Sequence, residues 1–259
     1  MREPKNHKTL KKGVLGISEC YAKSYSIGEK KVFMDIRTHS LIVGEVAKRI
    51  KGNFNKKVRD KFLRKGIELI ASLHDIGKIN PKFQEKIRGR EILIEPPHNE
   101  VSQAALEEFD IAISEILGKH HGIPLRSVNN GCAEIYGGAE WQELRLKFLG
   151  ELKKYFSQEL PDIESGIQSN ILAGIVTVSD WIGSGVEYDD IGKYVDNIDD
   201  LVVNAGFIKP EITKNLNFED IFGFSPNEIQ KKVIYEKHDC DICVIEAPMG
   251  IGKTEAALY

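Results

Sequence analysis

The feature that most constrains this chain is the spacing of its apolar residues, which recur every three to four positions through the first two thirds of the sequence. From His39 they are Leu41, Ile42, Val46, Ala47 and Ile50, and a second stretch carries Val58, Phe62, Leu63, Ile67, Ile70 and Ala71. That period marks one buried face of an α-helix and not the alternation of a half-buried strand. A third helix is predicted from about Glu100 to Leu117. A fourth, about Glu140 to Phe156, places Trp141, Leu144, Phe148, Leu152 and Tyr155 on one side and charge on the other. Gln168 to Gly183 is nearly all apolar or small, which predicts a buried central helix. Breaks rich in Gly, Pro and Asn at Asn80-Pro81, Pro96-Pro97, Gly122 to Gly131 and Gly137-Gly138 separate these helices. The expected fold class is therefore all-α, a helical bundle. After Gly185 an acidic stretch (Glu187, Asp189, Asp190, Asp196, Asp199, Asp200) reads as a solvated connection, with a domain boundary following near residues 215 to 222.

A chain of 259 residues suits one substantial domain plus part of a second. The net charge of -3 carries no global signature of a nucleic-acid binder, so any such contact must come from local patches. One run qualifies: Lys48 to Lys65 holds nine basic residues (Lys48, Arg49, Lys51, Lys56, Lys57, Arg59, Lys61, Arg64, Lys65) against the single acid Asp60. The plainer reading is a solvated helix face. Four cysteines at 20, 132, 240 and 243 are too few for a disulfide framework in a chain this long, and the composition suits a reducing cytoplasm. Cys240 and Cys243 resemble half a zinc knuckle, but they fall where a strand is expected, whose period of two points residues three apart to opposite faces. No stretch approaches the ~20 apolar residues of a membrane span, and the Lys-rich start lacks the apolar core of a signal peptide, so no membrane partner is expected.

Five of the seven histidines, His39, His74, His98 and the pair His120-His121, read together with Asp75 and Asp180 as one metal site. Each alone is weak. The apolar run Leu69 to Leu73 carries His74-Asp75 to the edge of a core, where burying a charged pair is costly without a partner, and a cation is such a partner. Asp180 poses the same problem on an otherwise apolar helix. Imidazole and carboxylate together suit Mn, Fe, Co, Ni or Zn over Mg, which prefers oxygen ligands, although Mg remains open. Seven ligands exceed the needs of one ion. Two divalent ions bridged by Asp75 would use them all, and such a pair suits a phosphodiester substrate by supplying a hydroxide and neutralising charge on phosphoryl oxygens. Lys78 lies three residues after Asp75. It is either a phosphate contact or a surface lysine favoured by a helix C-terminus.

Here the residues resemble a family. Tyr21-Ala-Lys-Ser24, His39 within Thr-His-Ser, Leu73-His-Asp-Ile-Gly-Lys78 followed by Phe83-Gln84, His98-Asn-Glu-Val-Ser102, His120-His-Gly122 and Ser179-Asp-Trp181 stand in the order seen in the HD nuclease of type I CRISPR effectors. The resemblance covers about residues 14 to 259. It implies an HD-domain bundle over residues 1–220, in which His39, His74, Asp75 and Asp180 hold one metal and Asp75, His98, His120 and His121 the other. It also implies cutting of single-stranded DNA exposed by a crRNA-guided surveillance complex; the expected catalytic residues are Asp75, as the bridge, and Lys78, on its phosphate-contact reading. Asn99 departs from the pattern, since the family often has Glu beside this histidine. That puts a supporting contact in doubt and no ligand.

Residues 221–259 change character. Ile242 to Glu246 reads as a buried strand, and Ala247 to Thr254 follows as a phosphate loop of the A-x-x-x-x-G-K-T form found in superfamily 2 helicases, to which the HD nuclease is commonly fused. Gly250 and Gly252 shape the loop, Lys253 reaches the β- and γ-phosphates of ATP, and Thr254 ligands Mg²⁺. Phe224 to Gln230 resembles the adenine-reading Q motif, with Gln230 on the base. The expected second domain is a truncated α/β helicase remnant that lacks a Walker B acid. It cannot hydrolyse ATP alone, and its tail is expected to be disordered or packed elsewhere.

Two rivals remain at this stage. An HD phosphohydrolase of nucleotides or cyclic dinucleotides shares the core His39, His74, Asp75 and Asp180. A docking module with an inactive site is the other, and retention of every ligand weighs against it.

Overall fold

The computed structural model describes residues 15–63, 66–122, 129–163, 166–185, 197–209, 213, 215–236 and 243–259. The chain divides into two compact units, Met1–Lys209 and Pro210–Tyr259. Among the described residues the first unit is helical apart from one hairpin, in keeping with the expected all-α class.

The hairpin comes first. β1 (Tyr21–Ile27) pairs antiparallel with β2 (Lys30–Asp35) through a two-residue turn, and Gly28 takes the positive φ of 58° that such a turn requires. Its inner face carries Ala22 and Met34 into the core. Helical periodicity had not marked this segment. The hairpin feeds α1 (Ile36–Asn53), capped by Asp35, whose side chain accepts from the Thr38 amide at 2.9 Å. Ile36, His39, Ile42, Val43, Val46, Ala47 and Ile50 lie buried on one face, so the apolar stripe read from sequence also carries a histidine inward.

The stretch expected as one helix from Val58 to Ala71 is two, α2 (Lys56–Phe62) and α3 (Ile67–Ser72). Gly66 stands before α3 at φ 105°, a conformation L residues avoid, and a Cβ there would meet the Pro161 ring at 2.7 Å. The helix expected from Glu100 to Leu117 is likewise divided into α5 (His98–Leu106) and α6 (Ile111–Lys119). Asp110 starts the second by accepting from the Ile113 amide. Between these pairs Asn80-Pro81 begins α4 (Pro81–Ile87), with proline at the first helical position. Two long helices follow, α7 (Gly138–Phe156) and α8 (Ile167–Ser184). α7 buries Trp141, Leu144, Phe148 and Leu152 as expected, but Tyr155 is half exposed and Arg145 is fully buried instead. Nor is α8 buried all round: Ile167 and Trp181 are exposed on one face, while Leu172, Ala173, Ile175, Val176 and Ser179 pack inward.

Of the acidic stretch, Asp199 and Asp200 open a helix, α9 (Ile198–Asn204), that buries Ile198 and Val202; residues 186–196 lie outside the described residues. The basic run is largely paired within the molecule. Lys48 contacts Glu45, Arg49 contacts Asp199 at 2.9 Å, Lys51 contacts Glu68 at 3.6 Å, and Lys56 contacts Asp60. Arg64 and Lys65 are outside the described residues. No helix among the described residues is long and apolar enough to cross a membrane.

The second unit holds α10 (Phe218–Phe222), α11 (Glu228–Tyr235) and α12 (Lys253–Leu258). The strand expected at 242–246 is absent from its described part: Cys243 to Glu246 is irregular and Val244 is 86% exposed. A single strand has no ladder to join without neighbours, and its apolar face then has nothing to pack against. Cys240 and Ile242 are outside the described residues. Within the described part of this unit Phe218 is buried against Phe222, Phe224 and Tyr259.

Candidate metal centre

The histidines reach the centre from four parts of the fold. His39 comes from the second turn of α1, and His74 and Asp75 from the turn after α3. His98 is the first residue of α5, His120 and His121 follow the last residue of α6, and Asp180 sits near the end of α8. Backbone packing joins these parts. Ser102 on α5 donates to the His74 carbonyl at 2.8 Å and accepts from the Gly77 amide at 2.9 Å, which locks α5 onto the turn carrying Asp75. Gln84 on α4, fully buried, exchanges two hydrogen bonds with the backbone of Tyr21 and donates to the Lys78 carbonyl, which fastens the hairpin to the same turn. Asn99 donates to the Gly118 carbonyl at 3.1 Å. The residue that departs from the family pattern thus ties α5 to α6, just ahead of His120.

The side chains converge on Asp75. Its Oδ2 lies 3.2 Å from Nε2 of His39 and 3.2 Å from Nε2 of His74. Its Oδ1 faces the other way, 3.4 Å from Nε2 of His98 and 3.8 Å from Nε2 of His120. Asp180 Oδ1 completes the first group at 3.4 Å from both His39 and His74, and His121 completes the second with its Nε2 2.8 Å from that of His98. His39, His74 and Asp75 are buried, whereas His98 is 24% exposed and His121 lies at the surface, so the centre opens on that side.

This donor set fits divalent cations. Nε2 of His39, His74 and His120 is buried without a hydrogen-bond partner, an unfavourable state for polar atoms that an ion relieves. Ligand atoms each ~2.1 Å from a shared ion stand roughly 3.0–3.4 Å apart, which is the spacing around Asp75 Oδ2. Nδ1 of His74 lies 2.8 Å from the Ala71 carbonyl, and Nδ1 of His120 lies 2.5 Å from that of Leu117. A carbonyl only accepts, so each ring carries a proton on Nδ1 and turns Nε2 inward, where the neutral ring offers a lone pair.

Electrostatics point the same way. Burial pushes His39 down, His98 down to about 4 and His120 down to about 3, so all three rings are neutral and able to ligate at ordinary pH. Burial opposes a charge on His74 too, but the Asp75 and Asp180 carboxylates outweigh it and push that ring up to about 9. Burial likewise works against the Asp75 carboxylate, yet the facing His74 and the Lys78 ammonium hold it well below the usual range. The geometry therefore favours positive charge where His39, His74, Asp75 and Asp180 meet. Lys78 is neither a surface lysine nor free: it is buried, with Nζ 2.6 Å from Asp75 Oδ2.

All seven residues read from the sequence thus come together. The sequence reading missed Ser184, and it quoted Lys23, Gln84 and Ser102 within motifs without giving them a role. It also missed a pocket of about 520 Å³ beside the centre, lined by Lys119, His121, Asn170, Gly174, Thr177 and Trp181, whose indole is 66% exposed. Exposed tryptophan next to a histidine cluster was the available signal.

In the second unit Gly250 and Gly252 take positive φ values of 76° and 82°, a conformation glycine adopts without strain. Lys253 folds back onto the carbonyls of Ala247 and Pro248, and Thr254 is exposed. A cavity of about 460 Å³ is lined by Phe224, Asn227, Gln230 and residues 249–255. Gln230 does not extend freely into it. Its amide donates to the Gly252 carbonyl and accepts from the Asn227 amide, so it braces the loop.

Known proteins agree with this architecture. The family described as the HD domain of Cas3 matches residues 21–188. The CRISPR-associated nuclease/helicase Cas3 of Streptococcus thermophilus is 28% identical, over 74% of this chain and 27% of its own length. The CRISPR-associated endonuclease/helicase Cas3 of Thermus thermophilus is 25% identical, over 73% of this chain and 26% of its own. The chain therefore spans about a quarter of the length of these relatives. Crystal structures of T. fusca Cas3 with ADP and with ATP share its fold at TM-scores of 0.69 and 0.70, with 23% and 21% identity, over 93% of this chain and 33% of theirs. With the family matched across the whole metal centre, the chain belongs to the Cas3 HD domain family.

Proposed function

We propose that this chain is the nuclease part of a CRISPR-associated nuclease and helicase, and that it hydrolyses phosphodiester bonds of single-stranded DNA with two divalent cations. His39, His74, Asp75 and Asp180 would hold one ion, and Asp75, His98, His120 and His121 the other. One observation carries this reading: the two oxygens of Asp75 face separate groups of histidines. A carboxylate so placed is suited to bridge. The imidazole-rich set favours Mn, Fe, Co or Ni over Mg. When bound, such ions supply an activated water and stabilise charge on phosphoryl oxygens.

The chain's own side chains do the rest. Lys78 holds Asp75 ionised and in place, and its ammonium stands beside the position of a scissile phosphate. The pocket next to His121 supports a single-stranded substrate, because Trp181 offers a stacking face that only an unpaired base can reach, and Lys119 brings a cation to the backbone. The loop at Gly250 to Thr254, with Gln230, would bind ATP and Mg²⁺ as part of a helicase, the second activity in the names of the relatives. A crRNA-guided surveillance complex would then deliver the strand.

The test is to strip the protein of metal, add Mn²⁺, Co²⁺, Ni²⁺ or Mg²⁺, and supply either circular single-stranded DNA or small nucleotides. Degradation of the circle, abolished by Asp75→Ala, is expected. Turnover of nucleotides with intact circles would overturn the reading in favour of a nucleotide phosphohydrolase.

A further inference from the structure

Lys23 and Ser184 stand outside the ligand set, yet both meet one of its members. Lys23 projects from β1, opposite Met34, and its side chain reaches across to the end of α8. There its ammonium donates to Ser184 Oγ and lies 3.8 Å from Asp180 Oδ1. Ser184, one helical turn beyond Asp180, donates its hydroxyl to that oxygen at 2.6 Å. The same Oδ1 faces His39 and His74 at 3.4 Å.

A hydroxyl has one proton and a free rotor. An ammonium cannot accept, so its contact uses a lone pair of Ser184 and turns the hydroxyl proton toward Asp180. The chain of donors runs from Lys23 through Ser184 to Asp180 Oδ1. It holds the carboxylate in one rotamer, with the ligating oxygen aimed at the two rings. We infer that Lys23 and Ser184 are positioning residues that set the cation affinity of the half-site made by His39, His74, Asp75 and Asp180. This assigns the hairpin a task in the centre. The inference rests on the ligand set proposed above.

Two effects of Lys23 oppose each other, which makes the test sharp. As a nearby positive charge it repels a cation, so if charge were its whole influence, removing it would tighten binding. As a positioning group it secures a ligand, and loss of such a contact weakens metal affinity ~10–100-fold. Mn²⁺ affinity is measured by calorimetry on the full chain, and Co²⁺ binding by its visible absorption. Lys23→Met and Ser184→Ala are each expected to weaken binding about tenfold and to alter the Co²⁺ bands, with Lys23→Arg restoring most of the affinity. Ser184→Ala changes no charge and removes one oxygen near the protein surface, so it keeps the test open if Lys23→Met fails to fold. Unchanged or tighter binding in folded Lys23→Met or Ser184→Ala overturns the inference, provided that Asp180→Ala loses affinity. If wild type binds no metal, or Asp180→Ala binds as wild type does, the ligand set itself is wrong.

Discussion

A Cβ on Gly77 would stand 2.0 Å from the carbonyl oxygen of His98 and 2.5 Å from the amide of Ser102. This backbone contact brings the turn bearing His74 and Asp75 against the start of α5, and so joins the two groups of histidines. Both obstacles are backbone and cannot swing aside. Gly77→Ala is therefore expected to destabilise the fold by on the order of 3 kcal/mol, at the upper end for overpacking. Gly118→Ala would meet the far end of Gln103 at 2.1 Å, and a side-chain amide can shift, so its loss should be about 1 kcal/mol. Urea unfolding midpoints compare the two, and equal losses would contradict the explanation.

The helices that bury one face were legible because their period is local, and α1 and most of α7 follow it; α8, nearly all apolar in sequence, left its exposed face unmarked. What the period could not show was where a chain must break. Gly66 divides one predicted helix because Pro161, far along the chain, fills the space beside it. Asp110 divides another by capping the Ile113 amide. The hairpin escaped notice because its inward face is short, Ala22 and Met34, and its partner surface is made by α1 and α4. The seven residues at the metal centre were legible from chemistry, since a histidine or aspartate at the edge of an apolar run demands a partner. Ser184 was not, because nothing nearby in sequence distinguishes it from a solvated polar residue, and the motifs that hold Lys23 and Gln84 gave them no task.

Asp75 is expected to matter more than any other ligand because it alone faces both groups. Metal content by mass spectrometry should fall from two ions in wild type to about one in Asp180→Ala and to none in Asp75→Ala. DNA cleavage by Asp75→Ala should drop well beyond the ~10–100-fold seen when a supporting contact is lost. Chelation of wild type should lower its melting temperature, since an ion that binds only the folded state stabilises it. A full metal complement in Asp75→Ala would remove the bridge.

Trp181 predicts how the substrate is held. Base stacking is worth ~1–3 kcal/mol per base, so Trp181→Ala should raise KM for single-stranded DNA about tenfold or more. Cleavage of a minimal phosphodiester that carries no base should stay near wild type. Equal losses on both substrates would mean that the indole supports the centre and not the strand.

Cys20 is fully buried. Burial pushes its thiol up to about 12, against the opposing charge of Arg88. At pH 8 the reactive thiolate is then roughly one part in ten thousand. A brief pulse of maleimide should label the exposed Cys132 and Cys243 and spare Cys20, as peptide mapping would show. The sign for stability follows from linkage. The folded pKa lies above the unfolded value, so the stabilisation is complete below about pH 9 and is lost progressively toward pH 12. Between pH 9 and 11 wild type should lose more unfolding free energy than Cys20→Ala, and parallel profiles would refute it.

Arg145 is the largest fully buried side chain among the described residues, and its hydrogen-bond partners are all neutral. Its guanidinium donates to the carbonyls of Ile79, Tyr136 and Gly131 at 2.8, 3.0 and 2.8 Å, and to Gln142 Oε1 at 2.9 Å. Burial lowers it to about 10, so it stays charged at neutral pH. Ile79 follows Lys78 directly, so this one side chain fixes the exit of the turn carrying His74 and Asp75 to α7 and to the loop that enters it. Hydrogen bonds to a charged group contribute ~1.5–3 kcal/mol each, and every orphaned carbonyl is penalised besides, so Arg145→Met should lose on the order of 4 kcal/mol. Lysine is no remedy, because a single ammonium cannot span carbonyls set for a planar fork. Arg145→Lys should therefore unfold at a urea concentration close to that of Arg145→Met. In whatever fraction remains folded, both variants should also bind Mn²⁺ more weakly, since the turn carrying Asp75 has lost its anchor. Wild-type stability in Arg145→Lys would show that charge alone, and not the forked geometry, is what this position requires.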